Sequence, residues 1–133
     1  MSRHFTRVLA VEDDPDIGMV ILLALELDAD VRAIVVGSGA EALRCLADGP
    51  APDLVLIDDH LPDTDGISLV AAMRQAGHGE VRFAFLTASI RDADRARFIA
   101  AGAIGVFAKP FNPLILAWEI QTLLAADSRP SSP

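Results

Sequence analysis

Apolar runs alternate with segments of helical periodicity along nearly the whole chain. Short runs rich in β-branched residues predict five β-strands, at Arg7–Val11, Val31–Val36, Asp53–Asp58, Val81–Leu86 and Ile104–Ala108. After each of them, apolar residues recur at helical spacing, which predicts five helices: one opening at Asp14-Pro15, then Ala40–Ala47, Gly66 to about Ala76, Ile90–Ala101, and one from Asn112-Pro113 to about Ala126. Strands that alternate with helices favour a parallel sheet with helices on both faces.

Two dipeptides mark predicted helix starts. Asp14-Pro15 combines an N-cap residue with a proline at the first helical position, and Asn112-Pro113 repeats the same signal. We therefore expect helices to begin at these two prolines.

The composition indicates a single globular domain. Of the 133 residues, 52% are hydrophobic and 23% are charged, which excludes an intrinsically disordered chain. We assign residues 1–126 to the domain and residues 127–133, which are polar and rich in Ser and Pro, to a tail. The single cysteine, Cys45, excludes an internal disulfide.

Charge and hydropathy argue against nucleic acids and membranes as partners. The 11 basic and 19 acidic residues give a net charge of -8, and no basic run is present, so direct nucleic-acid binding is not expected. The sequence has no signal-peptide core, and its apolar stretches fall far short of the ~20 residues of a membrane helix. The expected location is the cytoplasm, away from membranes.

Polar residues end or directly follow four of the predicted strands. Glu12-Asp13 follows the first strand, Asp58 ends the third, Thr87 follows the fourth and Lys109 follows the fifth. The carboxyl ends of parallel strands meet at one edge of a sheet, where ligands bind in this class of fold. Converging carboxylates repel one another unless a cation lies among them, and their oxygens suit Mg²⁺. A hydroxyl and an ammonium group beside them could hold phosphate oxygens.

These motifs resemble the receiver domain of response regulators in two-component signalling. The resemblance covers about residues 6–126 and rests on five segments: Val8–Pro15, Asp53–Gly66, Phe85–Ala88, Ala101–Ala103 and Phe107–Phe111. It implies a (βα)5 flavodoxin-like three-layer sandwich with a five-stranded parallel sheet in the order 2-1-3-4-5. It also implies a cis peptide before Pro110.

The resemblance singles out one aspartate as the phosphoacceptor. Pro62 and Asp65-Gly66 match the spacing of the family only if Asp58, and not its neighbour Asp59, is the acceptor.

Mg²⁺ is the cofactor that the resemblance implies. Glu12 and Asp13 match the acidic pair of the family, which binds the metal together with Asp58 and the backbone carbonyl of His60. A role of the His60 ring in dephosphorylation and a role of its carbonyl alone are both open.

Further residues match the groups that the family uses to bind phosphate and to switch. Lys109, the hydroxyl of Thr87 and the backbone N–H of Ala88 are implied to bind the phosphoryl oxygens. Thr87 is also the switch hydroxyl. Val106 stands where the family usually has a switch aromatic.

The implied function is phosphorelay signalling. The acceptor would take a phosphoryl group from a sensor histidine kinase or a histidine phosphotransfer protein in a Mg²⁺-dependent reaction. Phosphorylation would then change the face formed by the fourth helix, fifth strand and fifth helix. That face would contact a downstream protein, an output domain or a second copy of the chain. The protein would catalyse its own phosphorylation and dephosphorylation, and we do not expect a conventional turnover enzyme.

The sequence departs from the family on the implied output face. With Val106 in place of the aromatic, the switch cannot operate by the movement of a ring, and Phe107 points to the opposite side of its strand and is expected in the core. The last helix has no Lys or Arg, and its apolar positions exceed one stripe, so that some of them should face outward.

Three alternatives are open. The first is a degenerate receiver that binds proteins without being phosphorylated. A dinucleotide-binding site is the second, since Gly37-Ser38-Gly39 follows a strand and opens a helix. A phosphatase with an aspartate nucleophile is the third, although His60 stands where that class needs a second aspartate.

Overall fold

Strands and helices alternate strictly in the computed structural model, which describes residues 4–89 and 91–127. The strands are β1 (Thr6–Val11), β2 (Val31–Val36), β3 (Leu54–Asp58), β4 (Phe83–Thr87) and β5 (Gly105–Ala108). The helices are α1 (Pro15–Glu26), α2 (Gly39–Asp48), α3 (Gly66–Gln75), α4 (Asp92–Ala100) and α5 (Leu116–Ala126). All strand pairs are parallel and the order is β2-β1-β3-β4-β5, which confirms the predicted sheet.

Two apolar layers hold the helices against the sheet. Alternate side chains of β3 face opposite sides, so Leu54 and Leu56 pack with α1 and α5, whereas Val55 and Ile57 pack with α2, α3 and α4. All four are at most 1% exposed. Burial of each such side chain contributes about 1.5–3 kcal/mol, which makes β3 a rigid support for the residue at its end.

The register of the strands places their carboxyl ends in one row. Val11 pairs with Ile57, Asp58 with Leu86, and Thr87 with Ala108. Residues that end or follow these strands therefore share one edge of the sheet.

Only one of the two predicted cap-and-proline helix starts is correct. Asp14 caps α1 as predicted: its carboxylate accepts the N–H groups of Asp16 at 2.9 Å and Ile17 at 3.3 Å. The predicted start of the last helix at Asn112-Pro113 is wrong, because α5 begins at Leu116.

A separate turn explains that error. The side chain of Asn112 accepts the N–H of Leu114 at 3.0 Å, and its carbonyl accepts the N–H of Ile115 at 3.2 Å. Asparagine commonly closes such turns, which compete with the first turn of a helix. The other predicted boundaries lie within two residues of those observed, although Ile90, the predicted start of α4, lies outside the described residues.

The edge strand β2 has two of its N–H groups paired outside the sheet. The N–H of Ala33 donates to Glu26 Oε2 at 3.1 Å, and the N–H of Val31 donates to the carbonyl of Asp28 at 3.1 Å. Just after the strand, the N–H of Gly37 donates to Glu41 Oε2 at 2.8 Å.

The end of α5 is tied to the start of β4. Arg82 Nε lies 2.5 Å from Asp127 Oδ2, and both side chains are 13% exposed. The ion pair thus attaches the first residue of the predicted tail to the sheet, while residues 128–133 lie outside the described part of the chain. Among the residues that the structure describes, no helix has the length and apolar character needed to cross a membrane.

Candidate functional site

Carboxylates from two strands converge at the carboxyl end of the sheet. Glu12 follows β1 and Asp58 ends β3, so the pairing of Val11 with Ile57 brings them close together. Glu12 is 4% and Asp58 is 5% exposed, whereas Asp13 is exposed. One carboxylate oxygen from each of the three lies within 4.8 Å of the other two.

Lys109, directly after β5, brings a positive charge to this cluster. Its Nζ lies 2.9 Å from Glu12 Oε1 and 3.2 Å from Asp58 Oδ1. The backbone N–H of Lys109 donates to the carbonyl of Thr87 at 2.8 Å, which fixes the main chain from which the ammonium extends. The peptide between Lys109 and Pro110 is cis, as the resemblance implied.

Burial and charge shift the pKa values of these groups. Burial raises the pKa of Asp58 from its ordinary 3.8 to about 7, and the neighbouring Glu12 carboxyl adds to the rise. Burial also opposes the ionisation of Glu12, but hydrogen bonds, first that from Lys109, hold its pKa below the ordinary value. Burial disfavours the charge of Lys109, yet its bonds to both carboxylates leave its pKa raised. A cation bound among these oxygens would favour ionised Asp58.

The cluster has the chemistry of a site for a hard divalent cation. Mg²⁺ binds carboxylate oxygens and keeps several waters, and three carboxylate oxygens at this spacing fit that preference. The N–H of His60 donates to Asp58 Oδ1 at 3.3 Å, while the His60 side chain is 91% exposed. The backbone of His60 is thus near the cluster and its ring is in solvent, and the carbonyl stays a predicted ligand.

The hydroxyl of Thr87 lies beside the cluster at the end of β4. Thr87 is 1% exposed, donates its hydroxyl proton to Asp59 Oδ2 at 2.7 Å and accepts the N–H of Ser89 at 3.0 Å. Sequence reasoning treated Asp59 only as a competitor for the acceptor role and missed this contact. An acidic residue one position beyond the acceptor, opposite a hydroxyl on the next strand, was the available signal. Ala88 is exposed in the loop after β4.

Asp63 attaches the loop after β3 to the start of α2. Its carboxylate accepts the N–H of Gly39 at 2.9 Å and that of Ala40 at 3.0 Å, and these bonds lower its pKa. A dinucleotide pyrophosphate would need the same N–H groups. Asp63 already occupies these N–H groups, which argues against a dinucleotide-binding site here.

Gly66 allows α3 to start against the neighbouring strand. A Cβ at this position would lie 2.6 Å from the ring of Phe85, closer than packing permits, and in tight contact, at 3.3 Å, with the carbonyl oxygen of Asp58. Asp65 caps the same helix by accepting the N–H of Ser68 at 2.8 Å. The Asp-Gly pair of the motif thus combines a helix cap with a close approach that needs glycine.

The predicted output face has an exposed apolar patch among charged residues such as Arg95 and Glu119. Val106 is half-buried, and Phe107 is 8% exposed and lies in the core, as predicted. Ile99 of α4 is 51% exposed and Trp118 of α5 is 66% exposed, and both line a shallow groove with Val106. The prediction that apolar residues of the last helix face outward is confirmed.

Comparisons with known proteins agree with this architecture. The family model described as the response regulator receiver domain matches residues 8–121. The transcriptional regulatory protein BaeR of Escherichia coli is 30% identical over 124 residues, which cover 93% of this chain and 50% of that protein. The transcriptional regulatory protein PrrA of Mycobacterium tuberculosis is 36% identical over 118 residues, which cover 89% of this chain and 49% of that protein.

A solved structure gives the same fold. The chemotaxis response regulator CheY4 of Vibrio cholerae superposes with a TM-score of 0.80 and 28% identity, over 90% of this chain and 98% of that one. The chain spans about half the length of the curated relatives named above. The strand order, the clustered strand-end residues and the family match together place this chain in the response regulator receiver domain family.

Proposed function

We propose that this chain accepts a phosphoryl group on Asp58 and uses it to signal. The observation that carries the proposal is the position of this buried carboxylate, 3.2 Å from the Lys109 ammonium and within a cluster of three carboxylates at the end of a buried strand. The donor is the phosphohistidine of a sensor histidine kinase or a histidine phosphotransfer protein, in keeping with membership of the family.

The proposed reaction is a nucleophilic displacement at phosphorus. A carboxylate oxygen of Asp58 forms a bond to phosphorus while the P–N bond to the donor histidine breaks, and the electron pair of that bond leaves with the imidazole. Negative charge on the phosphoryl oxygens is stabilised by Lys109, by the Thr87 hydroxyl and by the N–H of Ala88.

In the proposal, the carboxylates around Asp58 also serve as ligands of a metal ion. Glu12, Asp13 and Asp58, with the carbonyl of His60, would hold Mg²⁺, which when bound offsets the charge of the phosphoryl oxygens. Without such compensation, buried Asp58 and Glu12 would repel an incoming anion.

Labelling with a small phosphodonor tests the acceptor assignment. The protein is incubated with acetyl phosphate and Mg²⁺, and borohydride reduction followed by peptide mass spectrometry locates the acyl phosphate. We expect labelling at Asp58 in wild type and in the exposed control Asp16→Asn, and none in Asp58→Asn. Undiminished labelling of Asp58→Asn contradicts the assignment. An unlabelled wild type instead favours the phosphorylation-independent binding module.

We also propose that phosphorylation changes the face formed by α4, β5 and α5. The exposed Ile99 and Trp118 beside Val106 support this, because such a patch suits a protein partner. Hydrogen exchange with and without beryllofluoride, a phosphoryl mimic, measures the change. We expect altered protection in α4 and α5, lost in Thr87→Ala; changes confined to the surroundings of Asp58 and Thr87 contradict this output route.

A further inference from the structure

The hydroxyl of Thr87 has both of its hydrogen-bonding roles filled. It donates to Asp59 Oδ2 at 2.7 Å and accepts the backbone N–H of Ser89 at 3.0 Å. A hydroxyl carries one proton, so it can donate one full hydrogen bond at a time. In the proposed function the hydroxyl donates its hydrogen bond to a phosphoryl oxygen on Asp58. The hydrogen bond to Asp59 must then break.

The environment of Asp59 makes that bond costly to lose. Its side chain is 16% exposed, so water replaces a lost partner only in part. A hydrogen bond from a hydroxyl to a carboxylate is stronger than one between neutral groups. In addition, the carboxylate would lose the Thr87 donor just when a negative phosphoryl group arrives on the adjacent residue, and the exposed His60 ring, 3.9 Å from the same oxygen, lies beyond hydrogen-bond distance.

Thr87 is also the first member of a polar chain that leads to α4. The N–H of Ser89 donates to the Thr87 hydroxyl, and the Ser89 hydroxyl donates to Asp94 Oδ2 at 2.5 Å. Asp94 lies in the first turn of α4 and pairs with Arg97 Nη1 at 3.2 Å. Arg91, which precedes the helix, forms no side-chain cap, whereas its N–H donates to the Ser89 hydroxyl at 3.4 Å. The bonds of Ser89 thus join the loop after β4 to this end of α4.

We propose that Asp59 is a positioning residue that engages the Thr87 hydroxyl in the unphosphorylated protein and thereby sets the threshold of the switch. The inference rests on the proposed function, because it names a regulator of the same site. Release of Thr87 from Asp59 changes the support of Ser89, and through Asp94 it changes the start of α4. This polar route takes the place of the ring movement that Val106 cannot perform.

Asp59 could also affect the switch through its negative charge alone, and an experiment can separate that explanation from the hydrogen bond to Thr87. Removal of any carboxylate near Asp58 favours the binding of an anion there, whatever Thr87 does. The proposal instead requires that the effect of Asp59 pass through the Thr87 hydroxyl. A double-mutant cycle with Thr87→Val, which keeps the shape but removes the hydroxyl, distinguishes the two.

The first measurement uses the free protein and does not depend on phosphorylation. Three-bond NMR couplings report the χ1 rotamer of Thr87. We expect one dominant rotamer in wild type, rotamer averaging in Asp59→Ala, and near-wild-type couplings in Asp59→Asn, whose amide oxygen can still accept the proton. Unchanged couplings in Asp59→Ala overturn the proposal.

The second measurement is the affinity for beryllofluoride in the presence of Mg²⁺, followed by the ¹⁹F NMR signals of the bound fluorides, which report binding even where the Thr87 hydroxyl is absent. We expect Asp59→Ala to bind the mimic about tenfold more tightly than wild type, the scale of one hydrogen bond to a charged group. In the Thr87→Val background the same substitution should tighten binding much less, because only the loss of the Asp59 charge then acts. The control Asp16→Ala, which removes a charge without contacting Thr87, should match wild type.

The outcomes separate the two proposals. Equal tightening in both backgrounds means that Asp59 acts through its charge, and no tightening in either means that it has no part in the switch; both overturn the inference. If wild type binds no beryllofluoride and Asp58 takes no phosphoryl group, the proposed function fails. The rotamer measurement then still decides whether Asp59 holds Thr87.

Discussion

Asp58 and Asp59 are neighbours in the chain with nearly opposite surroundings. Asp58 lies against a second carboxylate and the Lys109 ammonium, 3.2 Å away, and its pKa is raised to about 7. Asp59 accepts a hydrogen bond from the Thr87 hydroxyl at 2.7 Å. Successive side chains at a strand end point to different sides, so one step along the chain gives the two carboxylates different partners. The same residue type is thereby suited to receive a group at one position and to hold a hydroxyl at the next.

Removal of the Lys109 charge should affect Asp58 most strongly and leave Asp59 alone. Lys109→Met keeps most of the side-chain volume but leaves Glu12 and Asp58 without their cation. We expect the rate of labelling by acetyl phosphate to fall about 100-fold, as it does when one electrostatic stabiliser of a transition state is lost. The Thr87 χ1 couplings should not change. Equal labelling rates in both proteins would show that Lys109 does not stabilise the transferring group.

The raised pKa of Asp58 predicts a pH dependence of stability in Mg²⁺-free solution. The carboxyl has a pKa near 3.8 when unfolded and about 7 when folded, so the folded state binds more protons between these values. The stability from this group is therefore present below about pH 4 and is lost as pH rises through 7, by an amount on the order of a few kcal/mol.

Urea unfolding between pH 5 and 8 measures this loss. Asp58→Asn should remove most of it, whereas the control Asp16→Asn should keep it. Glu12, whose pKa is lowered, acts in the opposite sense and at lower pH, because its contribution is lost as pH falls below about 4.5. A wild-type stability that stays level from pH 5 to 8 would contradict the assigned shift.

Mg²⁺ should stabilise the folded protein through the carboxylate cluster. At ten times the dissociation constant, binding to the folded state alone adds about 1.4 kcal/mol to the free energy of unfolding. Asp13→Ala should abolish this gain, because it removes the exposed ligand of the cluster. The same gain in wild type and Asp13→Ala would place the ion elsewhere.

Much of the fold could be predicted because local and global signals agree. The run from Leu54 to Ile57 is apolar at every position, which is typical of a strand buried on both faces, and the structure buries all of it. Asp14-Pro15 begins a helix as expected. Asn112-Pro113 does not, because the Asn112 side chain closes a turn of its own, and the sequence gives no measure of that competition.

The candidate site likewise has parts that could be predicted from the sequence and parts that could not. Glu12, Asp58 and Lys109 each end or follow a strand, and parallel pairing alone brings them together, so their proximity could be predicted. The sequence places Asp59 and Thr87 near each other on adjacent strands, but their bond also depends on the register of β3 with β4 and on a side-chain rotamer, which the pattern does not specify. The size of the pKa shift of Asp58 depends likewise on burial in three dimensions.

The paired N–H groups of β2 affect how the protein behaves at high concentration. An open strand edge is a template on which another chain can extend the sheet, and proteins commonly protect such edges. Here Glu26 already accepts the N–H of Ala33 in β2, and Glu41 accepts the N–H of Gly37, the residue directly after the strand. An incoming strand would have to displace carboxylates of the host to reach these donors. The two glutamates thus oppose fibrous, edge-to-edge extension of the sheet at a strand that is otherwise largely apolar.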